Sequence, residues 1–303
     1  RAMAAAAVAL TAASTRPHIL PSSSSSSFSS RCSSSRLLLR RIPGACGGSI
    51  RRIGGAAAVV RVTVAASAGS GAGGGICGID LGTTNSAVAI IVDGKPVVVL
   101  DDEGHPTTPS VVSFTPEGAV LVGRAAQKRL TKDPKNTFYS VKRFMGKRVT
   151  DRLVVEDARR VPFEVVGSDP IVARATANSD ALSLAGLGPK GDGAGLAALH
   201  CPSLNRKVMP EEASMHILRK LLDFAEREIG QGPIERAVIT VPAYFDDEQC
   251  AATERAGKAA GLQKVKLLHE PVAAALAYGV DVDGDETVFV FDLGGGTFDV
   301  SVL

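Results

Sequence analysis

From residue 76 the chain reads as a series of short apolar runs broken by glycine, proline and acidic residues. Ile76 to Asp80, Ser86 to Val92, Val97 to Leu100, Ser110 to Phe114 and Val120 to Val122 each have the length and β-branched content of strands. Gly123 to Thr131 has helical composition and is ended by Pro134. Residues 168–199, rich in Ala, Gly, Ser and Pro, predict a long loop or a disordered insertion. Pro210-Glu211-Glu212 then opens a helix carrying Met215, Leu218, Leu221, Leu222 and Ala225 on one stripe and stopping near Gly230. Strand (Ala237 to Val241), helix (Asp246 to Ala260, closed by Gly261), strand (Val265 to Leu268), helix (Glu270 to Tyr278) and strand (Val288 to Asp292) follow in strict alternation. Such alternation builds an α/β layer with a partly parallel sheet, where ligands bind at the carboxyl ends of the strands.

Two of those strand ends repeat each other. Ile79-Asp80-Leu81-Gly82-Thr83-Thr84-Asn85-Ser86 and Phe291-Asp292-Leu293-Gly294-Gly295-Gly296-Thr297-Phe298-Asp299 both run from an apolar strand through Asp-Leu-Gly into a Gly/Thr turn and a second strand. Turns of this kind present backbone N–H groups to an anion without a bulky Cβ in the way, so each is the size and chemistry of a phosphate cradle. Asp80 and Asp292 cannot face a phosphate directly, since like charges about 4 Å apart repel by roughly 4 kcal/mol at an effective dielectric near 20. A cation between them resolves the conflict, and hard oxygen ligands beside phosphate suit Mg²⁺. The alternative is two ordinary hairpins whose Asp residues cap their turns. A formal G-x-G-x-x-G at Gly69, Gly71 and Gly74 precedes a strand instead of a helix and is not a dinucleotide fingerprint.

Composition divides the chain. The first 79 residues hold nine Arg, no Lys, no Asp and no Glu, with an unbroken serine run from Ser22 to Ser27. Acid-poor, Arg-rich and Ser-rich sequence is that of an organelle transit segment, and its length and serine content favour chloroplast over mitochondrion. Beyond residue 79 the remaining 25 Lys and Arg stand against 31 Asp and Glu, a net charge of −6. The basic balance of the whole is therefore a property of the leader, and no nucleic-acid partner is implied. No apolar run reaches the length of a transmembrane helix. Cys77, Cys201 and Cys250 have no C-x-x-C spacing and indicate neither zinc nor a disulfide framework.

Four stretches together carry a family resemblance. They are Gly78 to Ser86, Val238-Ile239-Thr240-Val241-Pro242-Ala243-Tyr244-Phe245, Glu270-Pro271 with Ala273 to Gly279, and Phe291 to Asp299. The chain resembles the seventy-kilodalton heat-shock chaperones of DnaK type, plastid-stromal branch, over about residues 78–167 and 199–303. The resemblance implies an α/β, actin-like (ribonuclease H-like) ATPase with Mg²⁺ and ATP or ADP clasped between two lobes. Residues 1–75 would be transit peptide and linker, disordered. Residues 76–292 would be nucleotide-binding lobe I, with the insertion at about 168–199, and residues 293–303 the start of a truncated lobe II.

By the same resemblance Asp80 and Asp292 would hold the metal through waters. Gly82, Thr83, Thr84 and Asn85 would bind phosphate together with Gly294, Gly295 and Gly296. Lys142 would reach the γ-phosphate, Glu270 would help place the attacking water, and Thr297 would set its hydroxyl beside the γ-phosphate. The partners implied are unfolded polypeptides, a J-domain co-chaperone and a nucleotide-exchange factor, in the chloroplast stroma.

Three positions depart from the family pattern. His269 and Val272 flank Glu270-Pro271 where the family has Asn and Thr, and Cys250 follows Gln249 where the family has Arg, which puts relay to a peptide domain in doubt because Cys lacks the guanidinium fork. Thr297 to Leu303 reads as a half-buried strand with no partner after it, so the 303 residues alone are expected to bind ATP weakly or not at all. Two other classes compete: a small-molecule kinase of the actin-like superfamily, and a non-catalytic remnant.

Overall fold

The computed structural model describes residues 36–42, 75–168, 195–230, 232–278, 287–294 and 297–303. Arg36–Ile42 forms a strand, β1, inside the segment expected to be disordered. The core begins with the hairpin β2 (Gly75–Asp80) and β3 (Asn85–Val92), continued by β4 (Lys95–Val98) and the short β5 (Thr108–Pro109). A small sheet follows from β6 (Val111–Phe114), β7 (Val120–Val122) and, after helix α1 (Arg124–Gln127), β8 (Thr137–Tyr139), in the order β7-β6-β8. α1 covers only one turn of the helix expected over Gly123 to Thr131; short turns carry the rest.

Helix α2 (Arg152–Ala158) leads to a second small sheet of β9 (Val165–Gly167), β10 (Ala197–Cys201) and β11 (Arg206–Val208). Ala197 to Leu199, expected to end the loop, are instead buried positions of β10, because their small and apolar side chains fill the core. The body of the expected insertion, 169–194, lies outside the described residues.

The second half holds the predicted alternation: α3 (Pro210–Ile229), β12 (Ile234–Val241), α4 (Asp247–Ala259), β13 (Lys264–His269), α5 (Glu270–Tyr278), β14 (Thr287–Leu293) and β15 (Phe298–Val302). The main sheet runs β13-β12-β2-β3-β4 with β5 beside β3; β13, β12 and β2 are parallel, whereas β2, β3 and β4 are antiparallel. β3 is buried at five consecutive positions, Ser86 to Ile90, the pattern of a strand covered on both faces. α3 supplies one cover with Ile217, Leu218, Leu221, Leu222 and Ala225, all at most 1% exposed and spaced by three and four.

One expectation about the layer is corrected: β14 does not join the main sheet. It pairs with β15 on one side and β1 on the other, forming a sheet of its own. Helix α5 joins the two sheets. Ala273 packs with Val238 and Leu268 of the main sheet, while Ala274, one position on, packs with Val288 and Val290 of β14. Successive helix positions lie about 100° apart, and alanine on both sides lets the backbone of α5 approach two sheets at once.

Candidate active site

Parallel pairing aligns strand ends. Ile239 lies beside Ile79, and Val241 beside His269, so β2, β12 and β13 deliver Asp80, Pro242 and Glu270 to one edge of the main sheet. Asp80 is 3% exposed, and its Oδ1 accepts a hydrogen bond of 3.0 Å from Thr240 Oγ1. The Gly/Thr turn then starts: Gly82 and Thr83 are buried and Thr84 is exposed.

Lys142 comes from elsewhere, a 3-10 turn over Val141–Arg143 whose lead residue Ser140 is held at φ 54°. Its ammonium donates to the carbonyl oxygen of Leu81 at 2.6 Å and to Glu270 Oε1 at 2.7 Å, with the Phe245 ring centroid 5.5 Å away. One buried cation thus ties the residue after Asp80 to the acid that opens α5. Gly146, four residues on, lies against the first turn of α4; a Cβ there would stand 2.8 Å from Gln249 Cα and 2.9 Å from Glu248 O. That approach needs glycine twice, for space and for φ of +69°.

The other sheet brings the second acidic turn. Gly294 N donates to Thr297 O at 2.9 Å, closing the loop between β14 and β15, and places Asp292 directly opposite Asp299. A cavity of about 270 Å³ opens between the sheets, with Glu270, Asp292, Asp299 and Ser301 as its polar wall and Pro242, Tyr244 and Val290 among its apolar lining. Burial, and then the Asp299 and Glu270 carboxylates, push the Tyr244 phenol up to about 12. The phenol therefore stays protonated at neutral pH and offers a donor at the cavity mouth. Asp292 and Asp299 are directly opposed carboxylates on one strand face.

Of the residues singled out from sequence, Lys142 and Glu270 are in contact, and Glu270 and Asp292 share the cavity wall. Asp80 is not part of that wall and reaches the group through Leu81 and Lys142. Gly295 and Gly296 lie outside the described residues. Ser110 was given no role from sequence, nor were Thr240, Tyr244 and Asp299, although these three stand inside the quoted motifs. Thr240 had one signal, a lone hydroxyl within Val238-Ile239-Thr240-Val241, and Asp299 had another, its period-2 match to Ser301.

Comparison with known proteins decides the family. The Hsp70 protein family profile matches residues 76–183 and 190–303. The chain belongs to the Hsp70 family. Similar relatives include the chaperone protein dnaK of Cyanophora paradoxa, 46% identical over 76% of this chain and 32% of its own length. The chaperone protein dnaK3 of Thermosynechococcus vestitus is 45% identical over 76% of this chain and 30% of its own. Heat shock 70 kDa protein 6, chloroplastic, of Arabidopsis thaliana is 45% identical over 75% and 28%. This Hsp70 chain spans about a third of the length of those relatives. Its fold is the actin-like, mixed α/β fold of the Hsp70 ATPase domain.

Proposed function

We propose that this chain is the N-terminal nucleotide-binding part of an ATP-dependent protein-folding chaperone of the chloroplast stroma. Hsp70 proteins generally bind ATP or ADP with Mg²⁺ and work with unfolded polypeptides and co-chaperones, and the same partners are proposed here. The Arg- and Ser-rich first 75 residues act as transit segment and linker, a reading supported by the chloroplastic relative.

A single observation carries the catalytic reading: Lys142 bridges the carbonyl after Asp80 and the carboxylate of Glu270, next to a cavity whose far wall is Asp292 and Asp299. The donor set fits Mg²⁺. All of it is hard oxygen, with the carboxylates of Asp80 and Asp292 at the ends of β2 and β14. Mg²⁺ is usually held in that way, by one or two carboxylates with the rest of its shell water and phosphate oxygen. Asp80 and Asp292 would hold it, and the ion would neutralise phosphate charge.

The chain's own residues do the remainder. Backbone N–H groups and hydroxyls within Thr83 to Asn85, together with the Gly294 to Gly296 turn, seat phosphate oxygens, while the N–H groups of Gly82 and Gly294, donated to Ser86 Oγ and Thr297 O, shape the two turns. The Lys142 ammonium exchanges the Leu81 carbonyl for the γ-phosphate and so supplies fixed positive charge where negative charge develops. Glu270, released from part of its pairing, accepts a hydrogen bond from the attacking water, and the Thr297 hydroxyl donates beside the γ-phosphate. About 270 Å³ is just under the roughly 300–1,000 Å³ of pockets that enclose a whole small ligand, room for the phosphate end.

Single-turnover hydrolysis by the complete protein tests this. Mg²⁺-dependent cleavage of ATP that disappears in Lys142→Ala supports it, and phosphorylation of an added polyol in place of hydrolysis would favour a small-molecule kinase.

A further inference from the structure

We infer that Ser110 is a positioning residue for the Gly82 to Asn85 turn, acting through a closed ring of buried hydroxyl hydrogen bonds. The inference rests on reading that turn as a phosphate seat. Ser110 stands where β5 meets β6, 28 residues from Gly82, and is 2% exposed; Ser86, at the start of β3, is 0% exposed. Ser110 Oγ lies 2.7 Å from Gly82 O and 2.9 Å from Ser86 Oγ, and Gly82 N lies 3.2 Å from Ser86 Oγ.

The direction of every bond is forced. A carbonyl only accepts, so the one hydroxyl proton of Ser110 goes to Gly82 O. The contact between the serines then uses the Ser86 proton, and the Ser86 oxygen accepts from Gly82 N–H. The circuit leaves Gly82 through its N–H and returns through its carbonyl, with each bond polarising the next in a site closed to water.

The ring does more than satisfy polar groups. Ser110 N–H also donates to Thr84 O at 2.9 Å, so one residue takes up the carbonyls of Gly82 and Thr84. A turn can hold an anion only when its carbonyls, which repel the anion, are turned elsewhere while N–H groups face it. Ser110 fixes that orientation from outside the turn, in register with β3 because Asn85 and Ser86 pair with Pro109 and Thr108.

Binding of ATP and of adenosine to the complete protein tests the inference, with Ser110→Ala, Ser86→Ala, the double substitution and Ser110→Thr. Either alanine should weaken ATP about tenfold, the loss of roughly one buried hydrogen bond. The double variant should be no worse than the single ones because one break opens the ring, Ser110→Thr should stay within about twofold, and adenosine should bind equally to all. Unchanged ATP affinity in Ser110→Ala, or an equal loss for adenosine, would overturn it. Wild-type protein that binds no ATP would instead sink the reading of the turn as a phosphate seat. Amide exchange at Gly82 then judges the ring itself: faster in Ser110→Ala with Ile79 unchanged if it stands, the same in both proteins if it does not.

Discussion

At the residue scale the site turns on Lys142, 5% exposed and donating to two oxygens that both need it. Lys142→Ala leaves the Leu81 carbonyl and Glu270 unmatched. It should lower the unfolding free energy by about 1–3 kcal/mol in urea titration and ATP turnover at least about a hundredfold; an unaltered turnover rate would remove Lys142 from the chemistry. Lys142 and Glu270 were legible as separate residues because their short motifs resemble a known family. Their meeting was not, since 128 residues separate them and nothing local in either segment encodes the contact. The roles of Ser110 and Thr240 were not legible for a related reason: a buried hydroxyl acquires a role only from the strand beside it.

At the element scale, α4 and the loop before it hold Lys142 in place. Asp246 caps α4 by accepting from Gln249 N at 2.8 Å, and Asp246 N–H in turn donates to the Gln249 side-chain oxygen, a full capping box. Asp246→Ala should cost about 1 kcal/mol in the urea midpoint analysis. Gly146→Ala should cost more, about 2–3 kcal/mol, because an added Cβ meets backbone of Gln249 and Glu248 at a left-handed φ.

The helix most readable from sequence, α3, has a pH dependence that periodicity does not reveal. His216 packs edge-on to Phe114 at 5.7 Å, and burial is the main cause that lowers its pKa, against Glu212 and together with Arg206. A depressed folded pKa means stability that is present above the unfolded value of about 6.5 and lost as pH falls from there through the folded value. Between those two values the unfolded chain binds more protons. His216→Gln should therefore flatten the decline of unfolding free energy below about pH 6.5; an identical decline in both proteins would place the acid sensitivity elsewhere. Helices α3 and α4 were readable because their start and stop signals are local: Pro210 with Glu211 and Glu212, then Gly230, for α3, and Asp246, then Gly261, for α4. β9 to β11 were not, since strands of three to five residues carry too short a pattern, and β9 joins the β10–β11 hairpin only through partners 30 or more residues away, as the pairing of Val165 with Leu199 shows.

For the whole molecule, the repeat of Asp-Leu-Gly turns was plain in the sequence, but the separation of β14 and β15 from the main sheet was not. Alternating strands and helices predict one continuous layer; β14 leaves it because α5 is alanine-rich on two adjacent faces and can carry a second sheet against the first. That division creates the cavity with Glu270 on one side and Asp292 on the other. We propose that Asp80 and Asp292 serve one magnesium ion bound to one nucleotide. A double-substitution cycle on Mg²⁺-dependent ATP affinity in the complete protein, with Asp80→Asn, Asp292→Asn and both, tests it most directly. One shared ion predicts that either change removes most of the Mg²⁺ dependence and that the pair loses little more than the worse single variant. Losses that add in full, each carboxylate contributing its own independent share, would contradict it.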